Sequence, residues 1–218
     1  MASRVFEDRH EAGVELARAV SKRRPRAPLV VLGLPRGGVP VAHEVAKSLD
    51  APLDVMVVRK IGMPGQPELA IGAVASGGVV VRERHVSDYV AERGIPFEAL
   101  AERQRAEVDR RERTYRKGLP PLDLKQKTAV LVDDGLATGS TMLAAIRAAR
   151  QAGAATVLVA APVASREAHA LISAEADEVV IIQIPAFLYA IGEWYRDFRQ
   201  VEDAEVCDLL RRNRGSRV

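Results

Sequence analysis

The 218-residue chain has an ordinary globular composition, with 48% hydrophobic and 28% charged residues, and no apolar run approaches the roughly eighteen residues that a membrane-spanning helix needs. Its 32 Lys and Arg exceed its 29 Asp and Glu by too little to favour a nucleic-acid partner. The opening residues lack the apolar stretch of a signal peptide, and the single Cys207 cannot form an internal disulfide. We therefore expect a cytoplasmic protein with one α/β domain over 1–218.

The first part of the chain predicts the start of a parallel sheet. Apolar residues at helical spacing predict a lead-in helix over 9–23, which nearby prolines end. A short apolar run predicts a buried strand over 29–33, and a helix follows over 39–49. The next predicted strand is 53–58. A strand buried on both faces that leads into a helix is typical of a parallel sheet.

The middle of the chain departs from this pattern. Glycines and prolines punctuate 59–82, so this segment predicts a flexible excursion from the core, with short β-like pieces at 69–74 and 79–82. The charged segment 84–117 predicts one or two exposed helices, broken near 94–96, that cover one edge of the sheet.

The last part alternates strands with helices. Strands are predicted over 128–132, 156–161 and 178–182, and helices over 141–152 and 166–174. Such alternation predicts an α/β fold with a doubly wound, mostly parallel five-stranded sheet flanked by helices. A ligand of such a sheet binds at the C-terminal ends of the strands.

The strongest local signal is the segment from Val130 to Thr141, which joins a predicted buried strand to a helix through small residues. Gly135 and Gly139 permit tight turns, so successive amides can converge on one anion at the positive end of the helix. Hydroxyl donors are added by Thr138, Ser140 and Thr141. The loop therefore predicts a cradle for a phosphate monoester.

Two adjacent acids, Asp133 and Asp134, stand at the end of the same predicted strand. They repel each other unless a partner compensates them, and vicinal ribose hydroxyls or a nearby Mg²⁺ would do so. A five-carbon sugar phosphate fits both the acids and the loop. The alternative is a plain turn at 133–135 with helix-capping hydroxyls. The segment has neither the Gly-Lys pair of a Walker A loop nor the glycine spacing of a dinucleotide fingerprint.

The whole pattern, four apolar residues, two acids and Gly-x-Ala-Thr-Gly-x-Thr, resembles the motif by which type I phosphoribosyltransferases bind 5-phosphoribosyl-1-pyrophosphate (PRPP). The resemblance covers about 29–183 and implies that the acids contact the ribose 2′ and 3′ hydroxyls while the loop holds the 5′-phosphate. It also implies Mg²⁺ bound with PRPP, contacted by Asp133 and Asp134 directly or through water. The implied PRPP-binding residues here are Asp133, Asp134, Gly135, Ala137, Thr138, Gly139, Ser140 and Thr141.

A second element of that family is a pyrophosphate loop after the first core strand, often with a non-proline cis peptide. The segment Leu34-Pro35-Arg36-Gly37-Gly38 stands at this position. Arg36 can donate to pyrophosphate oxygens, and Gly37 and Gly38 let the backbone approach closely. The alternative is a glycine turn with a surface arginine.

A third element is a flexible loop that closes over the reacting centre, and 59–82 resembles it. Closure would exclude water from a reactive cation. Arg59 and Lys60 are candidate pyrophosphate partners. Glu68 has three open roles: a base contact, a Mg²⁺ contact or plain solvation.

Five of the nine aromatic residues fall within 187–198. In the family a small hood holds the nucleobase, often by stacking on a ring, and 185–218 could supply it. The alternative, which we favour for most of these rings, is a small local core or a subunit contact. One or two rings at most are expected to stack on a base.

The resemblance thus implies an enzyme that transfers the 5-phosphoribosyl group from PRPP to a nitrogen acceptor such as a nucleobase, releasing Mg-pyrophosphate. The implied catalytic residues are Asp133, Asp134, Arg36 and Lys60. Alternatives are a non-catalytic PRPP- or nucleotide-sensing regulator and a hydrolase of a phosphoribosyl substrate. The hood matches no hypoxanthine, adenine, orotate or uracil pattern, and the family suggests a homodimer.

Overall fold

The computed structural model describes residues 5–83, 90 and 92–215. These residues contain eight strands and six α-helices, joined by loops. The strands are β1 Leu29–Gly33, β2 Leu53–Val55, β3 Val58–Met63, β4 Gln66–Ala75, β5 Val79–Arg82, β6 Thr128–Val132, β7 Thr156–Val163 and β8 Glu178–Gln183. The α-helices are α1 Arg9–Arg23, α2 Gly38–Ser48, α3 Phe97–Tyr115, α4 Ser140–Gln151, α5 Arg166–Ser173 and α6 Asp203–Gly215. No helix in these ranges is both long and apolar enough to cross a membrane.

The central sheet has five strands in the order β2-β1-β6-β7-β8, and every neighbouring pair is parallel. The predicted fold class is therefore confirmed. Because the strands are parallel, the loops after β1, β6, β7 and β8 lie at one edge, where ligands of such sheets bind.

Alternate residues of the central strands face two different cores. In β6, Val130 and Val132 pack with α1, α2 and α6, whereas Ala129 and Leu131 pack with α4 and α5. Helices therefore cover both faces of the sheet, which explains why its strands read as continuous apolar runs rather than alternating ones.

The β-like pieces predicted at 69–74 and 79–82 are confirmed as parts of β4 and β5. The rest of 59–82, predicted as a loop excursion, also lies largely within a second, antiparallel sheet of β3, β4 and β5. Backbone pairing along β4 with both neighbours satisfies its polar groups, despite the glycines. The predicted strand over 53–58 is also corrected. β2 ends at Val55, and Val58 begins β3 of the second sheet.

Helix α3 packs on β3 and β4, with Phe97, Ala101 and Val108 buried. It covers the small sheet, so the prediction that the charged segment covers an edge of the main sheet holds only for its end, where Arg116 donates two hydrogen bonds to Asp54 of the edge strand β2. The break near 94–96 is where predicted, since α3 begins directly after Pro96. Residues 84–89 and 91, and the side chain of Glu68, lie outside the described part, and so does the predicted role of Glu68.

The predicted hood segment 185–218 divides into two parts. Residues 203–215 form α6, whose Val206 and Leu210 are fully buried in the main core beside α2 and β2. Their spacing of four residues places both on one helix face, which is why α6 packs into the body of the domain. The part at the C-terminal edge of the sheet therefore ends before α6, and 216–218 lie outside the described residues.

Candidate functional site

The loop after β6 is fixed by the end of the neighbouring strand β7. Leu136 N donates to Val163 O at 2.9 Å, and Ser165 N donates to Leu136 O at 2.9 Å. Ser165 Oγ also donates to Ala137 O at 2.7 Å and accepts from Ala168 N as the N-cap of α5. The loop backbone is thus held before any ligand binds, which lowers the cost of ordering it.

Hydroxyls and a cation converge where this loop enters α4. Gly139 precedes the helix with φ 74°, a conformation that favours glycine, and it offers no side chain to cap the first amides. Thr138 Oγ1 lies 3.0 Å from Ser140 Oγ, and Lys60 Nζ of β3 donates to Ser140 Oγ at 3.4 Å. Ser140 N also donates to Thr138 Oγ1 at 3.4 Å. Helix amides, hydroxyls and an ammonium group thus lie together where the sequence predicts an anion cradle.

The loop after β1 lies against the loop after β6. Leu34 N donates to Val132 O at 2.9 Å, and the Pro35–Arg36 peptide is cis. A Cβ on Gly37 would collide with the Asp134 carboxylate, and one on Gly38 would lie 2.6 Å from Val132 O. Both positions therefore require glycine if the loops are to touch.

Arg36 projects from the first of these loops and is about a third exposed. Its Nη1 lies 3.6 Å from Asp203 Oδ1 and 3.8 Å from Glu202 Oε2, at the start of α6. Both distances are long for ion pairs and both acids are largely exposed, so the pairing is weak and an anionic ligand could replace it. The Arg59 Nε is buried and has no hydrogen-bond partner among the described residues, and its predicted contact with pyrophosphate stays a prediction.

At the end of β6, one carboxylate oxygen of each of the two acids accepts a hydrogen bond from another residue. Asp133 Oδ1 accepts from Asp134 N at 2.9 Å, and Asp134 Oδ2 accepts from Arg9 Nε at 2.8 Å. Within the described ranges no other residue bonds to Asp133 Oδ2 or Asp134 Oδ1. Burial, followed by the charge of Asp134, raises the pKa of Asp133 well above its usual value. Burial also raises the pKa of Asp134, and Arg9 opposes that shift.

The donor set suits hydroxyl groups or a hard cation. Two carboxylate oxygens that no other described residue contacts can accept from vicinal hydroxyls. Mg²⁺ commonly takes one or two carboxylates and completes its shell from ligand phosphates and water. No cluster of three or more His, Cys, Asp or Glu forms a metal site in the described part of the chain. A Mg²⁺ ion here would therefore depend on ligand oxygens.

Arg9, which the sequence analysis missed, completes the site. It lies 125 residues before Asp134, in a helix whose pattern indicates only packing. Its guanidinium lies 3.9 Å from the Phe198 ring centroid, and Tyr195 OH donates to Asp134 O at 2.6 Å. Burial raises the pKa of the Tyr195 phenol, so that group remains a donor.

The aromatic cluster separates into two groups. Trp194 and Tyr195 are buried in a small core with Phe6, and Phe198 stacks on Tyr195 with centroids 5.0 Å apart. Phe187 and Tyr189 are 76% and 85% exposed. A short 3₁₀ helix, Ile191–Trp194, follows these two rings, and Ile191 lies so close to Gly135 that a Cβ there would clash. The exposed rings thus lie in the segment that leads onto the β6 loop.

Comparison with known proteins relates the chain to one family. The family model described as the phosphoribosyl transferase domain matches residues 7–194. Rv0571c of Mycobacterium tuberculosis H37Rv, named provisionally as a phosphoribosyl transferase, is 46% identical over 215 residues, which cover 96% of this chain and 47% of that protein. MT0597 of strain CDC 1551 gives the same figures, so the chain spans about half the length of the curated relatives it matches.

Among solved structures, TT1426 from Thermus thermophilus superposes with a TM-score of 0.87 at 45% identity. The match covers 94% of this chain and 97% of that one.

Proposed function

Because the chain belongs to the phosphoribosyl transferase domain family, we propose that it binds PRPP with Mg²⁺ and transfers the 5-phosphoribosyl group to a nitrogen acceptor. One observation carries the proposal: the loop at 137–141, which we take as the anion cradle, adjoins two carboxylates, and each keeps one oxygen that no other described residue contacts by a hydrogen bond. A phosphate joined to a ring with vicinal hydroxyls satisfies both features at once.

The 5′-phosphate occupies the β6 loop in this account. The amides at the start of α4 and the hydroxyls of Thr138, Ser140 and Thr141 bind its oxygens. Lys60 was predicted to bind pyrophosphate, but its Nζ donates to Ser140 Oγ. We therefore assign its charge to the 5′-phosphate, while Asp133 Oδ2 and Asp134 Oδ1 accept from the ribose hydroxyls.

The pyrophosphate lies against the β1 loop. Arg36 exchanges its weak pairing with Glu202 and Asp203 for pyrophosphate oxygens, and Gly37 and Gly38 let the backbone approach. Mg²⁺, when bound with PRPP, supplies positive charge to the leaving group, and Asp133 and Asp134 would contact it directly or through water.

The chemistry requires positioning rather than a covalent enzyme intermediate. The C1′–pyrophosphate bond breaks as the acceptor nitrogen bonds to C1′, and positive charge develops on the ribosyl ring. The acids fix the ring by its hydroxyls, and Arg36 stabilises the departing anion. Residues 59–82, which include Lys60 of β3, are proposed to move over the site when PRPP binds.

Acceptor binding is assigned to the segment between β8 and the 3₁₀ helix. Phe187 and Tyr189 offer two exposed rings, on which a planar nucleobase can stack, in the segment that leads to Ile191, and Ile191 lies against Gly135 of the β6 loop. The family resemblance also supports a homodimer, which sedimentation of the purified protein would test: a monomer at all concentrations would exclude it.

Lys60→Gln is expected to weaken Mg-PRPP binding by about 5- to 10-fold, because it removes one partly solvated ammonium–phosphate contact. Titration calorimetry at several salt concentrations measures this, and the salt dependence should become shallower in the variant. Lys22→Gln, at the exposed end of α1, is the matched control and should bind as the wild type does. Equal losses in both variants would remove the assigned contact.

Pyrophosphate release tests turnover. The purified protein is incubated with Mg-PRPP, alone and with a panel of purine and pyrimidine bases. Release that depends on one base supports transfer and identifies the acceptor. Release without any acceptor would indicate a hydrolase, and binding without release under every condition would indicate a PRPP sensor.

A further inference from the structure

Arg9 is fixed at three points beside the second acid. It is the first residue of α1, which Asp8 caps. Its Nε donates to Asp134 Oδ2 at 2.8 Å, its Nη1 donates to Arg199 O at 2.8 Å, and its guanidinium lies 3.9 Å from the Phe198 ring centroid. The Arg9 and Asp134 side chains are only 11% and 15% exposed. A planar cation held in this way has little freedom to rotate.

Attachment of the N-terminal segment does not explain this arrangement. Backbone hydrogen bonds already join the two segments: Phe6 N donates to Trp194 O, Arg196 N to Phe6 O, and Asp197 N to Glu7 O. An exposed ion pair between Arg196 and Glu7 spans the same junction. Arg9 instead turns inward to a carboxylate that is proposed to bind ribose.

The contacts of Asp134 leave one direction open. Tyr195 OH holds its carbonyl oxygen, and Arg9 holds Oδ2, whereas Oδ1 has no partner in another described residue. Gly37 lies against Oδ2, and a side chain there would displace it. Arg9 also compensates one of two adjacent negative charges, which reduces the repulsion that a polyanion such as PRPP would meet.

From this geometry we propose, on the basis of the function proposed above, that Arg9 is a positioning residue for PRPP binding. It acts through Asp134: the guanidinium holds Oδ2, so Oδ1 is presented to a ribose hydroxyl, and the rings of Tyr195 and Phe198 hold the guanidinium. Tyr195 and Phe198 thus support the ribose-binding acid through Arg9, whereas the exposed rings of Phe187 and Tyr189 are assigned to the acceptor.

A double-mutant cycle tests the proposal. Mg-PRPP binding is measured by calorimetry for the wild type, Arg9→Met, Asp134→Asn and the double variant. Methionine keeps an apolar chain against Phe198 and removes the charge. We expect Arg9→Met to weaken binding by about 10-fold in the wild type and by less than about 2-fold in the Asp134→Asn background. Arg9→Lys should restore part of the loss.

Other results overturn the proposal. The same loss from Arg9→Met in both backgrounds would show that Arg9 acts only on the fold, and wild-type affinity in Arg9→Met would show that it does not act at all. Arg196→Met, which removes the exposed pair at the same junction, should bind normally. If Arg9→Met does not fold, the cycle is repeated with Arg9→Lys, which must still couple to Asp134→Asn. A wild-type protein that does not bind PRPP would instead refute the proposed function itself.

Discussion

Asp133→Asn is expected to raise the melting temperature near neutral pH and to weaken Mg-PRPP binding by about 10- to 100-fold. Burial and the neighbouring Asp134 raise the pKa of Asp133, so the folded protein holds this proton more tightly than the unfolded chain does. The ionised carboxylate therefore destabilises the fold near neutral pH. Asparagine removes that cost but cannot replace a charged acceptor for a ribose hydroxyl.

The stabilising effect of Asp133→Asn is expected to depend on pH. The free energy of unfolding that Asp133 contributes is greatest at low pH, and it declines as pH rises from the unfolded pKa near 3.8 through the raised folded value. The advantage of Asp133→Asn, on the order of a few °C, should accordingly shrink as the pH falls toward about 4. Calorimetric melting across this range measures it.

Asp123→Asn is the control for this experiment. Asp123 is exposed, and the Lys127 side chain lowers its pKa, so its removal should not stabilise the fold or alter PRPP binding. A lower melting temperature for Asp133→Asn near neutral pH, or unchanged affinity, would contradict the role assigned to Asp133.

Gly38→Ala is expected to destabilise the protein by about 1–3 kcal/mol and to weaken PRPP binding by about tenfold or more. The added methyl group would lie 2.6 Å from Val132 O and 2.9 Å from Asp133 Cα, both of which are backbone atoms that cannot turn away. The β1 and β6 loops must separate, which moves the proposed pyrophosphate loop away from Asp133 and Asp134. Thermal melting and PRPP titration measure the two effects.

Gly215→Ala provides the matched comparison, because an added Cβ at Gly215 has no atom within 4 Å and the residue is at the end of α6. It should melt and bind as the wild type does. A Gly38→Ala protein with wild-type stability and affinity would show that the contact between the two loops has no part in binding.

The sequence predicts those features that neighbouring residues encode. β1 and β6 follow from apolar runs of five residues, since a strand covered on both faces needs no alternation. The loop that we propose as the anion cradle is also a local feature, because Gly139, Thr138 and Ser140 lie within one turn of the start of α4; its ligand stays a prediction. A loop of this kind can be identified from a few neighbouring residues.

The features that sequence reasoning missed depend on residues far apart in the chain. Arg9 meets Asp134 across 125 residues, and Ile191 covers Gly135 from a later segment. The second sheet was predicted only in part, as β-like pieces in β4 and β5, because glycines in 59–82 indicate a loop locally, whereas pairing along β4 stabilises strands. α6 was assigned to a hood because its buried apolar residues, Val206 and Leu210, show their partners only in the folded core.

Titration of the wild-type protein with PRPP, with and without Mg²⁺, tests the central claim most directly. The account predicts saturable, magnesium-dependent binding at one site per chain that Asp133→Asn weakens by at least about tenfold. Absence of heat and of thermal stabilisation at millimolar PRPP, from a protein that melts cooperatively, would contradict it. The proposed PRPP site and the proposed transfer reaction would then both fail.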